Sequence, residues 1–288
     1  MRIPTFICAA MLPLGLASTV EAGYLADSNR TAYTVLNPTP PALMRDWHTD
    51  DAGVSPYTID PGHFEVDVAA LTYGYYHRDE LIDTTVKAWV FGATTLKAGL
   101  TSSLDVELSI LPYLRITRAM KIGSLADSRT GSGFGDVSSR LKLNLWGNNG
   151  GTTALSASGT VQFPTASDDL GADQFEGGPS LEFAAQVPYG VELRVDSAVD
   201  LFEDNAQHRQ VSFEDLISFS HQIVGPLQGF CVFNTVVYTT PNSDWVGQIG
   251  AGVYYRLKRN VELFARADFG VHGNPYDYSP FIGIAARF

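Results

Sequence analysis

The chain has 288 residues, 19 basic against 31 acidic, a formal charge of −12 and only 17% charged residues. That acidic balance excludes the basic footprint nucleic-acid binding requires. One of the two cysteines, Cys8, falls in a segment expected to be cleaved, so Cys231 stands alone and an internal disulfide is excluded.

The first element in chain order is an address. MRIPTFICAAMLPLGLASTVEA (1–22) carries one early base, Arg2, then a largely apolar run and a small residue at Ala22. This is the pattern of a Sec signal peptide, too short and wrongly flanked for a membrane helix. Its removal takes away Arg2 and Glu21 and leaves the charge unchanged. No later apolar run reaches the roughly 20 residues that a membrane helix needs. Residues 23–61 follow with five prolines (Pro38, Pro40, Pro41, Pro56, Pro61) and no sustained period, an irregular leader.

From Gly62 onward the period is two. The alternation predicts twelve strands, at about 63–76, 86–98, 104–112, 134–146, 152–163, 179–187, 191–202, 210–223, 229–239, 245–256, 261–271 and 280–288. In LDVELSI, Leu104, Val106, Leu108 and Ile110 face one way and Asp105, Glu107 and Ser109 the other. In VELFARADFGV, Glu262, Arg266 and Asp268 oppose Val261, Leu263, Ala265, Ala267 and Phe269. The eighth strand breaks the rule, because Asp215 and His221 fall on its apolar face.

The connections alternate too. GLTSS (99–103), GNNGG (147–151), PYG (188–190), GPLQ (225–228) and LKRN (257–260) are short; 77–85, 113–133, 164–178, 203–209, 240–244 and 272–279 are longer. Aromatic residues collect near both strand ends, with Trp146, Tyr189, Tyr255 and Phe288 at one and Phe134, Phe163, Phe202, Tyr238 and Trp245 at the other. A soluble β-sandwich predicts the alternation but neither the order of turns and loops nor two aromatic girdles. The expected fold is therefore all-β: a transmembrane antiparallel up-and-down β-barrel of about twelve strands over 62–288, in the outer membrane of a Gram-negative cell, with tight turns and both termini periplasmic. The leader either stays in the periplasm or folds into the lumen as a plug. Lipid demands internal backbone pairing, so the last strand, FIGIAARF (281–288), must pair with the first. Its terminal Phe288 is the expected signal to the barrel-assembly machinery.

Several stretches resemble a known family. DWHTDDAGVSPYTIDPGHFEVDV (46–68), LKAGLTSSLDVEL (96–108), SGFGDVSSRLKLNLWG (132–147), the FPT at 163–165 and the closing SPFIGIAARF resemble, in order, the MetA-pathway phenol-degradation proteins. Where that family usually has Gly after Pro-Thr, this chain has Ala166. The resemblance implies an outer-membrane barrel that passes small, hydrophobic or aromatic compounds.

The inward-facing charges are the candidate selectivity residues: Glu65, Asp67, Lys87, Lys97, Asp105, Glu107, Arg140, Lys142, Glu192, Arg194, Asp196, Arg256, Glu262, Arg266, Asp268 and Arg287. They serve either as charge rows that select what passes or as paired charges that stabilise the wall. A lumen filled by such pairs gives the second functional reading, a non-conducting structural or surface-interaction barrel. A lipid hydrolase is the third, with Ser218, Ser220, Asp215 and His221 on one strand. Adjacent strand residues point to opposite faces, however, so Ser220 and His221 cannot pair, and no enzyme is expected. GSGFGD (131–136) precedes a strand rather than a helix, which disfavours a phosphate cradle. His48, His63, His77, His208 and His272 show no metal-ligand spacing, and neither cofactor nor metal is expected. Residues 113–133 carry Arg115, Arg118, Lys121 and Arg129 against Asp127, and residues 164–178 carry Asp168, Asp169, Asp173 and Glu176 without a base. The first stretch suits lipopolysaccharide phosphates and the second bridging cations, which makes outer-membrane lipid a partner alongside a small solute.

Overall fold

The computed structural model describes residues 32–48, 55–78, 83–167, 170–203, 208–239, 243, 245–273 and 276–288. The expected signal peptide and two of the loop acids, Asp168 and Asp169, lie outside these residues. The strands are β1 (Phe64–Arg78), β2 (Asp83–Gly99), β3 (Leu104–Ile110), β4 (Tyr113–Ile122), β5 (Leu125–Gly133), β6 (Val137–Trp146), β7 (Thr153–Phe163), β8 (Pro179–Val187), β9 (Val191–Glu203), β10 (Arg209–Val224), β11 (Leu227–Tyr238), β12 (Val246–Lys258), β13 (Val261–His272) and β14 (Tyr278–Arg287).

All pair antiparallel in one sheet, and β14 returns to β1 with Glu65 opposite Arg287. The backbone groups of Phe64 and Phe288 bond each other in both directions, at 3.1 and 2.8 Å. The sheet is therefore closed, as the terminal aromatic strand requires. β3 pairs with the lower half of β2 and β4 with its upper half, while β6 pairs with β3 and β5 with β4. The barrel thus has twelve staves, and two of them are broken into segments. Pro112, which has no N–H for the ladder, sits at one break.

The segment 113–133 corrects an expectation. It is not a loop but the β4–β5 hairpin, which carries the third and fourth staves beyond the barrel body. Its sequence hid this, because LADSRTGSG is exposed throughout all but its last residue and has no apolar face to alternate.

The interior is polar and the exterior greasy, as lipid requires. On β6, Leu141, Leu143 and Leu145 are exposed, while Lys142 and Asn144 between them are buried. The largest fully buried side chains include Lys142, Glu182, Asp105 and Asp196, the reverse of a soluble core. Outward Leu, Val, Ile and Phe along β6 to β14 form the membrane-facing surface.

Alternation reverses partway up one side of the barrel. In β2, Lys97 points inward, but higher up Val86, Ala88 and Val90 do, packed with Leu114, Ile116, Leu170 and Tyr276. The odd and even positions exchange around Gly92, whose φ of 68° suits glycine. β1 has its register shift against β14 at the same level, between Ala69 and Leu71. Lys87 is consequently exposed on the outer face. This corrects its expected place in the lumen: strict period-two counting cannot cross a bulge.

Candidate functional site: the lumen and its two mouths

The leader enters the mouth beside the termini. Arg45 Nε bonds Asp60 Oδ1 at 2.8 Å, and the Arg45 backbone N–H bonds Asp60 Oδ2 at 2.8 Å. Thr58 N–H donates to Asn148 Oδ1 (2.9 Å), and Ile59 N–H to Asp105 Oδ2 (3.1 Å). Asn144 donates to Pro56 O at 2.7 Å. Arg287 donates to Arg45 O (2.7 Å) and Arg256 to Trp47 O (3.2 Å). These bonds satisfy backbone groups that an irregular segment would otherwise bury unpaired. Trp47, Pro56, Ile59 and Asp60 are buried as a result. His48 stacks on Tyr57 with ring centres 3.7 Å apart. Burial pushes the His48 imidazole down to about 4 and the Tyr57 phenol up to about 12. Asp105, Arg256 and Arg287, singled out from the sequence as lumen residues, thus bind the leader directly.

Above the leader, opposite charges neutralise one another. Lys97 reaches Glu65 (2.8 Å) and Asp67 (2.6 Å), and Lys142 reaches Glu107 (2.8 Å). Arg194 meets Glu192 at 2.6 Å, Arg256 meets Glu262 at 3.3 Å and Arg266 meets Asp268 at 2.7 Å. Arg140 contacts Glu182 at 3.4 Å, and Ser156 and Ser158 also donate to that carboxylate. Asp196 is buried on the same wall. Glu182 and Glu214, both buried inward, were not singled out from the sequence, although the alternation Ser180, Glu182, Ala184 pointed to the first.

Between the leader and the far mouth lies a cavity of about 370 Å³. Trp47 of the leader forms part of its floor. One wall carries Tyr254, Phe264 and Phe281 beside Ala69, Ala93 and Ala285; another carries Thr95, Ser109, Ser138, Thr160 and Arg140. The rings form a chain, Phe230–Tyr254 at 4.9 Å, Tyr254–Phe264 at 6.2 Å and Phe264–Phe281 at 6.1 Å. Glycine makes room for them, since a Cβ on Gly283 would run into the Phe264 ring and one on Gly252 into Phe230. These inward aromatics are not marked in the sequence, because an apolar ring on the inner face breaks the polar-in alternation that identifies lumen residues.

The far mouth is covered differently. Asp136, from the GFGD stretch, accepts hydrogen bonds from Gln162 Nε2 (3.0 Å) and from the backbone N–H groups of Thr165 (2.9 Å), Ala166 (2.9 Å) and Ala172 (2.7 Å). This carboxylate folds the 164–178 loop inward, and Leu170 then packs on the Ala88–Leu114–Ile116 cluster beside Tyr276. Burial also raises Tyr276 to about 12. The GFGD and FPT stretches are thus partners in one loop anchor. His221 is exposed and bonds Gly190 O at 3.0 Å, whereas Ser220 is buried inside, so the two point apart. Among the described residues, no group of three or more His, Cys, Asp or Glu side chains is placed to hold a metal.

Comparison with known proteins supplies a family and a fold. The sequence profile described as "Putative MetA-pathway of phenol degradation" matches residues 48–288. No curated protein sequence matches the chain. The COG4313 outer membrane channel from Pseudomonas putida F1 is similar in structure, with a TM-score of 0.59 at 12% identity over 84% of this chain and 100% of that one. The transport unit of the autotransporter AIDA-I from Escherichia coli is similar at a TM-score of 0.50 and 13% identity, over 78% of this chain and 90% of that one. At such identities the likeness establishes the barrel fold alone.

Proposed function

Because the chain belongs to the MetA-pathway phenol-degradation family, we propose that it is an outer-membrane channel for passive passage of small molecules, gated by its own leader. The single observation that carries this reading is the cavity of about 370 Å³ held open between the two mouths. A lumen built only as a stable wall has no reason to keep such a space. Its volume lies in the lower part of the usual range for small-molecule sites, roughly 300–1,000 Å³. An aromatic wall facing hydroxyls suits a small ring compound with a hydrogen-bonding substituent, since ring faces stack and the polar edge finds donors. The family name, which the comparison supplies, agrees with that class.

In this reading the short turns and both termini are periplasmic, the longer loops lie outside, and a Sec signal delivers the chain. Phe288, 65% exposed at the closing seam, is the residue through which assembly machinery would engage the last strand. No covalent chemistry is involved.

The test is solute flux into liposomes bearing the full-length protein. Small monocyclic aromatics should enter faster than into protein-free liposomes, and oligosaccharides too large for the cavity should not. Liposomes that stay sealed to every solute would overturn the channel. One observation favours the rival, a structural barrel: the leader occupies a mouth. If the barrel lacking residues 32–61 also stays sealed, that rival stands.

A further inference from the structure

The outer face of the β1–β2–β4–β5 sheet carries a patch that no part of the conduit uses. Its lower edge is a continuous band of rings on neighbouring strands. Tyr73 lies 4.4 Å from Trp89 between ring centres, Trp89 6.3 Å from Phe91, and Phe91 5.9 Å from Tyr113. Tyr278 of β14 joins them, 5.9 Å from Tyr73. Trp89, Phe91, Tyr113 and Tyr278 are all exposed. Aromatic rings gather where hydrocarbon meets headgroup, so this band fixes the height of the membrane boundary.

Two cations stand at and above that boundary. Arg115 is the cross-strand partner of Trp89, and Lys87, partner of Thr117, lies two residues further up β2. Two residues of strand span about 7 Å, which places Lys87 in the headgroup layer. Same-face neighbours on adjacent strands are within reach of long side chains, so both charges can meet one ligand. Beside them Thr117 and Thr130 bring their hydroxyls together at 3.0 Å. Neither Lys87 nor Arg115 has an ion pair or a hydrogen-bonded side-chain partner among the described residues. The nearest described carboxylate on this face, Asp83, lies opposite Lys121 and is bonded to His77 at 3.0 Å. The alternation reversal at Gly92 is what turns Lys87 outward.

We propose that Lys87 and Arg115 form a binding site for the phosphorylated headgroup of an outer-leaflet glycolipid, with the ring band against its acyl chains. A phosphomonoester offers several acceptor oxygens and nearly two negative charges, which two cations at and above an apolar band, unpaired among the described residues, complement. Of the hairpin's other three cations, Lys121 lies further up this face opposite Asp83. Arg118 and Arg129 are cross-strand partners on the opposite face, and Arg129 is paired with Asp127 at 3.1 Å. The site rests on the outer-membrane orientation with long loops outside, but not on conduction.

The test is native mass spectrometry of the full-length barrel with two probes of identical acyl chains: bisphosphorylated lipid A and the same lipid without phosphates. The folded protein should retain the phosphorylated lipid preferentially, and Lys87→Gln/Arg115→Gln should weaken that retention about thirtyfold, from roughly fivefold per cation near a charged surface. Arg118→Gln/Arg129→Gln should leave it unchanged, and excess inorganic phosphate should not displace the lipid. Equal retention of both lipids by the unaltered protein would overturn the proposal and needs no variant to fold. So would an unchanged double variant, an equal loss in the opposite-face variant, or full displacement by inorganic phosphate, which marks a site for free anions. Heat-modifiable migration verifies folding, and solute flux in the Lys87/Arg115 variant should match the unaltered protein, which separates this site from the channel.

Discussion

The two mouths of the barrel are closed by the same device applied at different ranges. In each, buried carboxylates accept backbone N–H groups from an irregular segment: Asp60 and Asp105 for the leader, Asp136 for the 164–178 loop. At the far mouth anchor and segment lie 29 to 36 residues apart, and the rest of the cover is an apolar contact through Leu170. At the mouth with the termini, contacts reach 90 residues along the chain between Asn148 and Thr58 and 242 between Arg287 and Arg45, and they involve charge. A local, greasy cover can slide at small cost, whereas a charged, long-range one must break several bonds together. For the proposed channel, this difference puts the expected resistance to passage at the leader.

Deleting residues 32–61 gives the largest expected effect. Single-channel recordings should change from brief or absent openings to steady conduction, a rise on the order of tenfold or more, because the charge-lined opening then holds only water. If current is unchanged, the leader is not the barrier and the contrast between mouths fails. Asp60→Ala should come next. It strips the buried Arg45 guanidinium of its carboxylate, and removing one partner of a buried pair costs about 3–5 kcal/mol. Amide exchange at Thr58 and Ile59 should accelerate, while exchange at Thr165 and Ala172 stays as it was.

Much of this was legible in the sequence, and the failures have physical causes. β6, β9 and β13 alternate without interruption, so their inward charges could be counted directly. The count failed on β2, where Gly92 exchanges the faces and sends Lys87 outside, and on β5, whose two faces are both wet. Asp136 was invisible as an anchor because its four donors sit 26 to 36 residues away. The leader's prolines announced irregular backbone but not its position. Position is decided by Asn144 and Asp105, which present as ordinary inward polar residues, and by Asn148, which presents as an ordinary turn residue.

Acid should loosen the leader by a smaller margin. His48 is buried neutral with its pKa lowered to about 4, against 6.5 when the leader is free. Between these values the undocked state binds more protons, so docking weakens as pH falls from 6.5 and levels off below about 4, losing about 3 kcal/mol in all. Tyr57, pushed up to about 12, does not titrate in that window. Conductance should therefore rise between pH 6.5 and 4, and His48→Phe, which keeps a ring against Tyr57, should flatten the response. A response that survives the substitution would move its origin to the wall carboxylates.

The smallest expected effect tests the far mouth. Asp136→Asn keeps one acceptor for Thr165 and Ala166 but turns an NH2 toward the Ala172 N–H and the Gln162 amide. Two hydrogen bonds are lost where donors then face donors, a cost of about 1–3 kcal/mol. Amide exchange should speed up at Ala172 while Thr58 and Ile59 keep their rates, and conductance should move little if the leader is the main barrier, as proposed. Were conductance instead to rise as far as it does on removing the leader, the far mouth would be the gate, and Leu170 the residue to substitute next.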